Sequence, residues 1–112
     1  MTPMMLARVA EQFRALAEPS RLALMNLLFD GERTVGELVE RSGLSLANAS
    51  KHLGLLHRAG WVERRKDGQN VVYTLADERV EQLCDIMCSR VRKLAAVEAA
   101  IAAPSPRRRA AR

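Results

Sequence analysis

The sequence predicts a mainly α-helical fold with one β-hairpin, and three observations carry that reading. Apolar residues recur at helical spacing along most of the 112 residues. Helix ends are marked by their chemistry. Thr34, Ser45 and Asp77 stand where a side-chain oxygen can cap a first turn, and Gly43 and Gly60 stand where a left-handed residue can close a last one. Only Trp61–Leu75 abandons the helical period, for two strand-like runs around Asp67-Gly68, a hairpin turn signal.

A chain of this length is one domain on ordinary size grounds. With 48% hydrophobic residues it can build a core, and with 4% aromatic residues that core must be aliphatic. No apolar run is long enough to span a bilayer, and there is no secretory signal pattern. A cytoplasmic protein without a membrane partner is therefore expected. The formal net charge of +5 suits a polyanion such as nucleic acid. The excess sits in Arg64-Arg65-Lys66 and in Arg107-Arg108-Arg109 with Arg112. The second run would bind any anionic surface, so charge by itself carries little weight.

Met1–Met5 reads as a loose start. Leu6, Val9, Phe13 and Leu16 then repeat at helical spacing, and that first helix should end before Pro19. Pro19 suits the start of the next helix, where its missing N–H is not needed. Arg21–Phe29 is apolar nearly all round and reads as the central buried helix, closed by Asp30-Gly31. Thr34 and Glu37 have the spacing of a capping box. The helix they open runs to about Ser42, with Val35, Leu38 and Val39 inward.

After Gly43, Ser45 caps a longer helix that ends at Gly60. At about 100° per residue, Leu46, Ala49, Leu53 and Leu56 form one apolar stripe. Ala47, Lys51, Gly54 and Arg58 lie opposite, flanked by Asn48 and Ser50. A helix that enters a major groove needs small residues for close approach, positive charge for phosphates and short polar side chains near its N-terminus. The plain alternative is an amphipathic helix with a solvated face. A short helix, a tight glycine turn and a longer capped helix together form a helix-turn-helix, which favours the groove reading. The hairpin that follows is then a wing. Its tip is basic on one strand and amide-rich on the other, suited to a phosphate backbone or a minor groove. The candidate DNA contacts are Ser45, Leu46, Ala47, Asn48, Ser50, Lys51, His52 and Arg58 on the helix, with Arg64, Arg65, Lys66, Gln69 and Asn70 on the wing.

Asp77 should cap a last helix reaching about Ala103. Val80, Cys84, Met87, Val91, Leu94 and Ile101 step along it by fours and threes, interrupted at Glu98. That is a coiled-coil-like seam, too long for so small a domain to cover. A homodimer through the first and last helices is expected. Residues 1–103 would be the winged helix-turn-helix DNA-binding and dimerisation domain. Pro104-Ser105-Pro106 stops the helix, and 104–112 reads as a disordered basic tail.

The chain resembles the ArsR/SmtB family of bacterial winged-helix repressors. The carriers are Leu16-Ala17-Glu18-Pro19-Ser20-Arg21, Ser50-Lys51-His52-Leu53, Leu55-Leu56-His57-Arg58-Ala59-Gly60 and the wing from Arg64 to Tyr73. They occur together and in order, and the likeness covers about residues 8–95. It implies an obligate homodimer on an imperfect palindrome near its own promoter, released when an inducer binds. It also implies that Leu46, Ala47, Ser50 and Lys51 face the groove and that Arg64–Asn70 form the wing. Two metal sites known in the family do not carry over. Where cysteine ligands would stand, the chain reads Thr34-Val35-Gly36-Glu37-Leu38. Where an aspartate, two histidines and a glutamate would bind zinc, it has Asp77, Arg79, Arg90 and Lys93. Cationic side chains cannot coordinate Zn²⁺. His52 and His57 are expected to be structural or close to DNA, not ligands, and no cofactor is expected with certainty.

Cys84 and Cys88 stay open. At i and i+4 their Cβ atoms lie about 5–6 Å apart, whereas a disulfide wants about 3.5–4.5 Å. A bridge within one intact helix is disfavoured. The pair is a candidate soft-metal or arsenite site with a third ligand from elsewhere. Cys84 could instead meet its counterpart across a dimer, or a thiolate favoured by Arg79, Arg90 and Arg92 could sense oxidants or sulfur species. Equally, both are small buried hydrophobes. The competing function is a winged-helix module that binds protein, against which Arg64, Arg65 and Lys66 speak. No nucleophile set, carboxylate pair or glycine-rich phosphate loop marks an enzyme.

Overall fold

The computed structural model describes residues 1–98. The elements are α1 (Pro3–Leu16), α2 (Pro19–Leu27), β1 (Arg33–Thr34), α3 (Val35–Ser42), α4 (Leu46–Arg58), β2 (Val62–Asp67), β3 (Asn70–Leu75) and α5 (Glu78–Glu98). Residues 1–76 form one compact unit, and a second opens at Asp77.

α1 starts three residues earlier than its apolar period suggests. The Thr2 hydroxyl accepts the Met5 N–H at 3.1 Å, and Pro3 takes the first helical turn, where no N–H is required. The expected loose start is thus mostly helix. α2 begins at Pro19, with the Glu18 carboxylate accepting the Arg21 N–H at 3.0 Å. It ends at Leu27, short of the expected Phe29, where the Leu28 and Phe29 N–H groups turn to the carbonyls three residues back, and the Arg33 guanidinium takes the Leu27 carbonyl at 2.7 Å. Leu28 and Phe29 remain buried beyond it.

The core of the first unit is aliphatic. Leu24, Met25, Leu38, Leu53, Leu56 and Val62 are fully buried, so α2, α3, α4 and the base of the hairpin share one interior. The sheet has three strands, ordered β1-β3-β2 and antiparallel throughout. The sequence pattern does not predict β1, since a two-residue strand has no period to read. It pairs Arg33 with Tyr73 and Thr34 with Val72, and so makes β3 the central strand. The hairpin turn is centred on Gly68-Gln69, one residue beyond the expected Asp67-Gly68, because Asp67 pairs with Asn70. Gly68 takes φ +65°, a left-handed value that glycine adopts at little cost.

The capping box forms as expected. Thr34 accepts the Glu37 N–H at 3.1 Å, and the Glu37 carboxylate accepts the Thr34 N–H at 2.9 Å. That backbone hydrogen bond holds the Glu37 carboxyl below its ordinary range. Thr34→Ala is expected to lower stability by about 1 kcal/mol, read as a lower urea midpoint with an unchanged slope. An unchanged midpoint would mean that β1 pairing alone fixes the start of α3. Gly43 closes α3 at φ +75°, and Gly60 follows α4 at φ +86°. The described part of α5 ends at Glu98, so the expected continuation to Ala103, Ile101 in the seam and the tail 104–112 lie outside the described residues.

Candidate nucleic-acid interface

α4 presents the face that sequence assigned to DNA. The Ser45 hydroxyl accepts the Asn48 N–H at 3.1 Å and fixes the start of the helix. Ala49, Leu53 and Leu56 are fully buried. Ser45, Ala47, Asn48, Ser50, Lys51 and Arg58 are exposed, and no acidic side chain occurs anywhere on α4. Leu46 leaves the buried stripe to which the helical wheel assigned it. It is 62% exposed, because the first helical residue has no preceding turn to pack beside. An exposed apolar side chain there is suited to the methyl group of thymine. Gly54 keeps the middle of this face open, and a Cβ there would meet the Arg58 guanidinium at 3.4 Å.

His52 turns inward. Its Nδ1 lies 3.3 Å from the Arg21 guanidinium and its Nε2 3.9 Å from the Glu18 carboxylate. Arginine can only donate, so Nδ1 is the acceptor and Nε2 carries the proton on the side of Glu18. Arg21 also donates to the carbonyls of Ala15 and Arg14 at the end of α1. One guanidinium therefore joins α1, α2 and α4. A second tie lies at the far end of α4. There the Gln12 side chain donates to the Ala59 carbonyl at 2.8 Å, and the Trp61 indole donates to the Gln12 carbonyl at 3.3 Å.

On the wing, Arg64, Arg65, Lys66, Gln69 and Asn70 are all exposed. The three cations are held differently. Arg64 donates to the Tyr73 hydroxyl at 3.4 Å. Arg65 forms an ion pair with Glu32, which precedes β1, and each side chain is about half exposed. The Arg65 hydrogen bond holds the Glu32 carboxyl below its usual range, and the same contact raises the guanidinium. Lys66 has no ion pair among the described residues. The contacts of Glu18 and Arg21 with His52, and of Glu32 with Arg65, join residues far apart along the chain and leave no local signal in the sequence.

Two apolar surfaces accompany the polar one. On α1, Met5, Leu6 and Phe13 are about half exposed, Phe13 at 54%. On α5, Met87, Val91 and Leu94 form a similarly open stripe, with Val91 at 47%. Asp77 caps α5, accepting the Arg79 N–H at 2.8 Å and pairing with its guanidinium at 3.0 Å, which depresses the Asp77 carboxyl. Cys84 and Cys88 are half-buried on α5 and are not joined in a disulfide. Among the described residues no three His, Cys, Asp or Glu side chains gather as a metal set, and no helix is long and apolar enough to cross a membrane.

The comparisons converge on one kind of protein. A sequence profile for the MarR family matches residues 19–70. A probable mercury resistance operon repressor from Streptomyces lividans is 45% identical over 74 residues, which is 66% of this chain and 59% of that protein. The chain thus spans less than two thirds of that relative's length. The transcriptional activator HlyU of Vibrio cholerae is 37% identical over 81 residues, covering 72% of this chain and 75% of that protein. The solution structure of Mb0332 from Mycobacterium bovis superposes with a TM-score of 0.75 at 33% identity, over 82% of this chain and 86% of that one. It is a homodimeric winged helix-turn-helix DNA-binding domain, described as a possible ArsR-family transcriptional regulator.

Proposed function

The chain belongs to the winged helix-turn-helix transcriptional regulators, and from that premise we propose that it is a cytoplasmic homodimeric repressor of the ArsR/SmtB type with no catalytic activity. The observation that carries this reading is the division of α4, whose one face is fully buried while the other is small, polar and basic without a single acid. Leu46, Ala47, Ser50 and Lys51 would read base edges in the major groove. Asn48, Arg58 and the wing residues Arg64–Asn70 would fix the register on phosphates. The open apolar stripes of α1 and α5 are the surfaces a second copy would cover, and twofold symmetry then calls for a palindromic site. Residues 1–103 would form the DNA-binding and dimerisation domain, with 104–112 as a basic tail. Repression follows the mercury resistance relative and the ArsR/SmtB likeness.

The test is a fluorescence-anisotropy titration of the reduced protein on the duplex upstream of its own coding region. Binding at least about 1,000-fold tighter than to random duplex at the same salt supports the reading. Failure to bind any duplex would bring forward the protein-interaction module.

The inducer class follows from a separate observation. Cys84 and Cys88 share one face of α5, and the mercury resistance relative turns attention to thiophilic ions. A soft cation or trivalent arsenic held by two thiolates and a third ligand would release the DNA. Adding Hg²⁺, Cd²⁺ or arsenite to the complex is expected to free the duplex, and Cys84→Ser/Cys88→Ser is expected to remove that response. A double variant that still releases DNA like the wild type would make the cysteines core residues.

A further inference from the structure

We propose that Glu32 restrains non-specific binding, its carboxylate holding Arg65 of the wing away from the phosphates of random-sequence DNA; this rests on the DNA-binding reading above. Of the three wing cations, Arg65 alone is in an ion pair among the described residues. The sheet explains how a residue 33 positions away reaches it. Arg65 on β2 pairs with Val72 on the central strand, and Val72 pairs with Thr34 on β1. Thr34, Val72 and Arg65 thus stand in one row across the sheet, and Glu32 directly precedes β1, two residues from that row. Two strand spacings, roughly 9–10 Å, separate β1 from β2. An arginine and a glutamate are long enough to meet across that gap. The pairing of β1 with the central strand therefore brings Glu32, the residue before it, to the wing.

A half-exposed pair of this kind is worth little in water, so it gives way only where the rest of a complex holds Arg65 against a better partner. A phosphate can be one, since guanidinium binds it with two parallel hydrogen bonds. The exchange is not neutral. When Arg65 turns to a phosphate, Glu32 is left as an unpaired carboxylate facing a polyanion. Random duplex offers phosphate contacts and nothing else, so the Glu32–Arg65 pair weakens that binding first. A site that also engages α4 has base contacts to offset the loss. Lys66, which has no such partner, supplies charge to any duplex.

The experiment compares wild type, Glu32→Gln, Arg65→Ala and the double variant on a random-sequence duplex, by anisotropy between about 50 and 200 mM salt. Glutamine keeps the length of Glu32 and its cover of the strand without its charge. The slope of log K against log salt is expected to steepen by about 0.9 in Glu32→Gln, equal to one more phosphate neutralised. Across that range the variant should lose about three- to fourfold more affinity than wild type, and it should bind more tightly at the low-salt end. In the Arg65→Ala background the same substitution should leave the slope unchanged. Wild-type slope in Glu32→Gln would overturn the inference alone. An equal steepening with Arg65 absent would also overturn it, since the effect would then be mere removal of a negative charge. Loss of all duplex binding by the wild type would overturn the DNA-binding reading as well, and so is told apart from the first two results.

Discussion

Lys51→Glu is expected to weaken binding to the target duplex by about 100-fold while leaving the fold intact. Lys51 is exposed on α4, one turn along from Ala47 and beside Ser50, and it makes no ion pair among the described residues that the change would break. A good side-chain contact in the groove is worth about 1–3 kcal/mol, and the reversal adds repulsion from the phosphates. The urea midpoint should move by less than about 0.5 kcal/mol equivalent, as for other surface substitutions. Anisotropy at fixed salt reads the affinity. A Kd within twofold of wild type would remove α4 from the groove and leave the wing as the main contact.

In the proposed homodimer, Val91→Asp is expected to leave single chains. Val91 lies in the open stripe of α5 between Met87 and Leu94. A carboxylate buried there by a second copy would be unpaired, at a penalty of several kcal/mol. Twofold symmetry enters the change twice. Sedimentation should show the mass of one chain, and operator affinity should collapse because two linked half-site contacts become one. A dimeric mass would place the second copy elsewhere, with α1 and its exposed Phe13 the next surface to test.

Much of this architecture was legible because its signals are local. The Thr34–Glu37 box, the Ser45 cap and the glycines at 43 and 60 each depend on neighbours within four residues, and all stand where the pattern put them. The start of α1 was legible too, in Thr2-Pro3, but the apolar period begins later and drew the boundary with it. β1 was not legible, since two residues gain their identity only from pairing with β3. His52 lies about 60° from Ala49 on the helical wheel, at the flank of the buried stripe. Its turn toward Arg21 could have been expected from that angle, though its partner could not. Glu32 and Arg65 stand 33 positions apart and meet only through a three-strand register. The exposed polar face of α4 was thus legible from helix geometry, Leu46 excepted, while the partners of His52 and Arg65 depend on tertiary structure.

The fastening of α4 to α1, through Arg21 at its middle and Gln12 at its end, bears on how such a protein can change its target over generations. If α1 joins the two copies, it acts as a strut whose length and tilt fix the gap between the two reading helices. Half-site spacing then belongs to residues that never approach a base. Drift in Met5, Leu6 or Phe13 would retune the distance between half-sites, while drift in Ala47, Ser50 or Lys51 would rewrite the letters within them. Address and spacing thus rest on different side chains, joined by Arg21 and Gln12.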